Sequence, residues 1–161
     1  MTSVLKVDNI QNSSGTNAIS IDSSGNLALP NIGSNALYRT GTWTVTDVSG
    51  NGLSLTQSET ARYIRIGDLV YVNFYITFPG SGGNSSSAKL GGLPFPTATG
   101  YGYHYLTGRI QDYSSADVRV QLQHGESWGN PMQNNSFLQN NQLAVGRYVI
   151  MSGCYIAQSG T

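Results

Sequence analysis

Tyr63-Ile64-Arg65-Ile66-Gly67-Asp68-Leu69-Val70-Tyr71-Val72-Asn73-Phe74-Tyr75-Ile76-Thr77-Phe78 decides the fold class. Val70, Val72, Phe74, Ile76 and Phe78 fall on one side of an extended chain, and Tyr71, Asn73, Tyr75 and Thr77 on the other. That period of two belongs to a strand and to no helix. Gly67-Asp68 breaks the run as a turn, so the stretch predicts an antiparallel hairpin with one face in a core. The opposite face is half aromatic, which predicts that it also meets something, either a second sheet or a neighbouring subunit.

The same grammar continues on both sides. Upstream, Trp43, Val45 and Asp47 open a strand, Ser49-Gly50-Asn51-Gly52 closes it as a turn, and Leu53 and Leu55 follow on one face. Downstream, residues 79–87 are a Gly/Ser/Asn loop. Gly92-Leu93-Pro94-Phe95-Pro96 then imposes an extended corner, because two prolines exclude a central strand. Tyr101, Tyr103 and Tyr105 alternate again, as do Val118, Val120 and Leu122. Residues 124–142, rich in Gly, Asn and Gln, predict a long loop carrying Trp128, Met132 and Phe137. Residues 148–156 predict a final buried strand. No segment has a convincing helical period. The spacing predicts an all-β fold, an antiparallel, jelly-roll-like β-sandwich of about eight strands.

Residues 1–33 differ from the rest. They contain no aromatic residue and set Leu5, Val7 and Ile10, then Ile19 and Ile21, then Leu27 and Leu29 into three short runs separated by two turns, Asn12-Ser13-Ser14-Gly15 and Asp22-Ser23-Ser24-Gly25. This predicts a thin β-meander. So narrow a ribbon cannot bury its apolar side chains against itself. It must pair with other copies, pack on a partner or stay mobile, and the alternating apolar positions favour a partner. The organisation expected is therefore an anchoring and oligomerising segment over 1–33, a linker over 34–41 and a head domain over 42–161.

Composition agrees. In 161 residues only 10% are charged, while ten Tyr, four Phe, two Trp and 20 Gly are present. Neutral polar strands joined by tight turns have this make-up. Eight basic and eight acidic side chains cancel, which argues against a phosphate-neutralising nucleic-acid binder and against a polybasic membrane patch. No apolar run reaches the ~20 residues that span a bilayer, and no signal peptide is visible at the N-terminus. A soluble product made in the cytoplasm is expected. Near-zero charge weakens colloidal repulsion and suits a subunit that works assembled.

Residues able to carry chemistry are sparse. Asp68, Asp112 and Asp117 read as turn residues, and Glu59 and Glu126 have no spaced partner, so no catalytic acid pair is indicated. His104 and His124 are too few for a zinc site and read as surface or interface imidazoles. Cys154, the only cysteine, reads as a buried free thiol. No catalytic residue, metal site or cofactor is expected. One surface has a functional reading, because neutral glycan sites combine exposed rings with amides. Tyr101, Tyr103, Tyr113, Trp128, Asn130 and Gln133 are candidates of that kind. The alternative, that these rings serve the core or a subunit interface, takes precedence.

Leu5-Lys6-Val7-Asp8-Asn9-Ile10-Gln11-Asn12-Ser13-Ser14-Gly15 and Ile19-Ser20-Ile21-Asp22-Ser23-Ser24-Gly25 resemble the N-termini of tail-fibre-like and structural proteins from phages of cyanobacteria and marine bacteria. Gly41-Thr42-Trp43-Thr44, residues 63–70, Gly92-Leu93-Pro94-Phe95 and Ser152-Gly153-Cys154-Tyr155-Ile156 are similar to C-terminal modules of phage fibre proteins. The last motif departs from that pattern at Cys154, where a small or Thr-like residue is expected. The resemblance implies a non-enzymatic bacteriophage virion protein, a homotrimer anchored by its N-terminal segment with the aromatic sandwich projecting outward.

Two placements compete. One is a capsid-surface decoration, a cement or head-fibre protein or short fibre knob, whose partners are the major capsid protein or other tail and baseplate proteins. The other is a receptor-binding tail fibre that touches host surface glycans through its aromatic loops. A shaft of 33 residues at ~3.3 Å each reaches only ~100 Å, so the compact subunit favours the first.

Overall fold

The computed structural model describes residues 7–11, 13–15, 17–21, 23–25, 27–28, 38–113 and 117–158. The protein is all-β and antiparallel, as expected. β1 (Asn9–Gln11), β2 (Asn17–Ile21) and β3 (Leu27–Ala28) form a three-stranded meander. β4 (Tyr38–Trp43), β5 (Thr46–Asp47), β6 (Thr56–Ile66), β7 (Leu69–Thr77), β8 (Leu90–Gly91), β9 (His104–Ile110), β10 (Val118–Leu122), β11 (Trp128–Gln133), β12 (Ser136–Phe137) and β13 (Tyr148–Ile156) form a ten-stranded sheet. Its order is β4-β6-β7-β13-β9-β10-β11-β8-β5, with β12 on β11.

The two ends of that order, β4 and β5, are neighbours in the chain, separated only by residues 44–45. The three steps from Trp43 to Thr46 span at most ~11 Å, so the sheet curls until its two edge strands come close at this corner. Gln57 holds the corner: its Nε2 donates to the Trp43 carbonyl at 3.0 Å, and the Val45 amide donates to its Oε1 at 3.2 Å. Both layers around the core therefore come from one sheet. Val70, Val72, Phe74 and Ile76 of β7 meet Val118, Val120 and Leu122 of β10 in the same buried cluster.

The predicted hairpin is β6–β7. Gly67 has φ +58° and Asp68 is not in the left-handed region, the pattern of a two-residue type II′ turn. Close approach of two strands requires glycine at 108, where a Cβ would lie 2.0 Å from the Ile150 carbonyl oxygen. This lets β9 press against β13.

Several expectations need correction. β4 begins at Tyr38, inside the stretch read as linker. Residues 124–142 are not a long loop. They hold β11, β12 and the single-turn helix α1 (Asn140–Leu143), because Gly129, Asn130 and Pro131 pair with β10 despite their turn-forming character. Asn140 is buried and pins two loops, its Nδ2 donating to Ser49 Oγ at 3.0 Å and Asn84 Oδ1 at 3.1 Å. β13 is buried on one side only: Val149, Met151 and Tyr155 point inward, while Ile150 and Cys154 are exposed. Cys154 is thus an exposed thiol, because it falls on the outward phase of the alternation.

Candidate functional site

Of the N-terminal contact residues, Leu5 and Leu29 lie outside the described residues. In the small sheet Ile10 stands directly opposite Ile19, and Ile21, two positions on, shares their face. Leu27 is the register partner of Ile21. Val7, Ile10 and Ile21 are exposed and Ile19 is half-buried. Among the described residues no strand of this sheet pairs with the large one.

The six glycan candidates do not converge. Tyr101 and Tyr103 are exposed, at 65% and 53%, on the loop before β9. The turn after β10 lies at the same end, where Tyr103 packs edge-on to His124 with ring centroids 4.4 Å apart. The Thr97 hydroxyl donates to the Gln123 carbonyl, and the Leu93 amide donates to the Ser127 carbonyl at 3.1 Å, knitting this end together. Trp128 belongs here too, half-buried, with the Lys89 ammonium 4.7 Å from its ring centre.

Gln133 pairs with Val118 at the other end of β10. Tyr113 follows β9 at that same end, packed against the core with the Arg147 guanidinium 4.9 Å from its ring. Asn130 is corrected outright. It is buried, its Nδ2 donating to the Ala88 carbonyl at 2.9 Å and its Oδ1 accepting from Gln123 Nε2 at 3.2 Å. It serves the fold and is not on the surface.

His104 is half-buried, lying between the exposed Tyr103 and Tyr105. Its phase on β9 turns it toward Tyr155, and its Nε2 is buried with no hydrogen-bond partner among the described residues. Burial, and then the charge of nearby His124, holds its pKa below the usual imidazole value. Burial likewise pushes the Tyr155 phenol well above its ordinary range, and its hydroxyl donates to the Phe95 carbonyl at 2.9 Å. Phe95 in turn takes two guanidinium groups near its ring, Arg65 at 4.4 Å and Arg39 at 5.0 Å. That arrangement places buried Arg65 against the Gly92–Pro96 corner.

Three carboxylates hold loops or strand ends. Asp47 accepts the Ser49 and Leu53 amides, Asp112 faces Arg147 at 3.5 Å, and Asp117 pairs with Arg119. Among the described residues no group of three or more His, Cys, Asp or Glu side chains could hold a metal ion.

The broadest feature is one that sequence reasoning only glimpsed, the outer face of β4, β6, β7, β13 and β9. Tyr38, Ile66 and Leu69 are 60%, 55% and 46% exposed, and Ile64, Tyr71 and Ile150 are also exposed. Beside them a groove of about 470 Å³ runs along Glu59, Arg62, Asn73, Tyr75, Thr107 and Ser152. The alternation of β7 signalled its own outer face. Ile64 and Ile66 gave no such signal, because their outward phase depends on the register of β6 against β7.

No protein-family model matches this sequence, and the search of curated proteins finds no match either.

Proposed function

We propose that this protein is a non-enzymatic structural subunit of a bacteriophage particle. In this reading it is a homotrimeric capsid-surface decoration or short fibre knob, attached through its N-terminal segment. The observation that carries the reading is the small sheet. It sets Ile10, Ile19 and Ile21 on one face and, among the described residues, shares no strand pairing with the large sheet. A three-stranded ribbon with exposed isoleucines gains stability by covering that face with another protein or another copy. The phage-like N-terminal motifs supply the virion setting, and the near-zero net charge fits permanent assembly.

The test is the solution mass of the full-length protein, with and without Ile10→Asp and Ile21→Asp, followed by co-sedimentation with expanded phage capsids. A trimer that decorates capsids, and stops doing so in the double variant, is expected. A monomer that ignores capsids rejects the reading.

A second reading rests on Tyr101 and Tyr103, both exposed, with Tyr103 packed on His124. It makes the protein a receptor-binding tail fibre whose aromatic end meets host surface glycans. Adsorption to host cells, without capsid binding and lost on Tyr101→Ser with Tyr103→Ser, is its expected signature.

A further inference from the structure

We propose that the outer face of β4, β6, β7 and β13 is the contact between subunits, and that its occupant is a second copy of this chain. The proposal rests on the oligomeric reading above and assigns its interface to named residues.

Strand register sets the surface out in rows. Tyr38, Ile66, Leu69 and Ile156 are consecutive cross-strand partners, and Thr40, Ile64, Tyr71 and Cys154 form another row on the same face. Six exposed apolar side chains lie on this face: Tyr38, Ile64, Ile66, Leu69, Tyr71 and Ile150. At their exposures these six residues present roughly 500 Å² of surface, backbone and phenol oxygens included, on the scale of the largest patch of an ordinary monomer. Thr40, Thr42, Asn73 and Ser152 add hydroxyls and an amide to the same face.

Two observations select a second copy as occupant. First, the face carries both signs of charge. Glu59 and Arg62 line the same groove, and neither joins an ion pair among the described residues. Each copy therefore offers both halves of a complementary pair, whereas a strongly charged partner would find repulsion at one of them. Second, the apolar row begins at Tyr38, the residue at which the chain from the small sheet enters the large one. Copies joined through their small sheets bring their Tyr38 rows within reach of one another, since residues 29–37 extend at most ~30 Å.

Cys154 provides the test without any mutation. In the single chain it is exposed and beside Tyr71, so the proposed contact covers it. Wild-type full-length protein is sized by light scattering, and its thiol is reacted with a maleimide in native buffer and in urea. The expected result is a mass above one chain, with native labelling at least about tenfold slower than in urea, since access controls thiol reactivity. Ile66→Asp with Leu69→Asp is expected to lower the mass to a single chain and restore fast labelling, with the strand signal in circular dichroism unchanged. A multi-chain mass with fast native labelling overturns the proposal and leaves the oligomeric reading standing. So does a folded double variant that keeps the wild-type mass. A single-chain wild-type mass overturns both. Should the double variant fail to fold, the wild-type labelling rate alone decides.

Discussion

The two faces of β7 make different uses of similar residues. Val70, Val72, Phe74 and Ile76 point inward and are almost wholly buried, while Leu69 and Tyr71 point outward and keep much of their surface exposed. Inside, each side chain is held by the opposite layer: Phe74 meets Trp43 edge-on, ring centroids 5.7 Å apart. Outside, the described chain has no layer above Tyr71. Strand alternation shows that a strand has an inside, and the apolar content of its outside shows whether the fold ends there. Here the inner face accounts for folding, and the outer face is the one that the proposed assembly would cover.

The sharpest way to break that comparison is to truncate one residue on the inner face. Phe74→Ala removes a buried ring from between the two layers and is expected to cost about 3–5 kcal/mol, read as a lower urea midpoint. A loss under about 1 kcal/mol would mean that the layers do not pack as described. Next in size is Gly108→Ala. Its Cβ would collide with the Ile150 carbonyl oxygen, so β9 must move off β13, at an expected cost of about 1–3 kcal/mol.

How far the sequence foretold these elements depended on range. β7 was legible because its signal is local: nine residues of period two beside a two-residue turn. β11 was not, since its Gly129, Asn130 and Pro131 are loop-formers that only pairing with β10 turns into strand. The outward phase of Cys154 depends on which side of β13 meets the core, and a continuous apolar run hides it. The glycan candidates were chosen by residue type. Type cannot report that Asn130 is sealed under the Ala88 carbonyl or that Tyr113 and Tyr103 sit at opposite ends of β9. The apolar rows required register across four strands, which no single stretch carries.

A smaller effect concerns His104, whose side chain is turned inward although Tyr103 and Tyr105 on either side of it are exposed. Burial lowers its pKa below the ordinary 6.5, and the nearby His124 lowers it further. The unfolded chain then takes up the proton more readily than the native one. The stability gained by keeping His104 neutral is complete above about pH 6.5 and is lost as the pH falls through the lowered native value. The groups facing it are the Tyr155 phenol and the His124 ring, with Tyr103 edge-on to the latter. Urea midpoints of wild type and His104→Gln at pH 8, 6 and 5 are expected to diverge, with wild type losing more between 8 and 5. Parallel curves would place the imidazole in solvent.

The smallest expected effect on folding is the one that sharpens the comparison most. Tyr71→Ser removes an outward ring from the strand whose inner neighbour, Val72, is fully buried. Exposed substitutions away from buried contacts usually stay within ±0.5 kcal/mol, so the urea midpoint of the dilute, dissociated protein should barely move. If the outer face is an interface, the same substitution removes a ring from its centre, and aromatic anchors at such positions carry a large share of association energy. The concentration at which subunits dissociate is then expected to rise about tenfold or more, a change of at least ~1.4 kcal/mol in binding. Equal and small effects on both measurements would make Tyr71 an ordinary surface residue. A large effect on folding alone would mean that the outer side chains brace the sheet itself. Only the split, with folding unchanged and association weakened, assigns the two faces of one strand to two different equilibria.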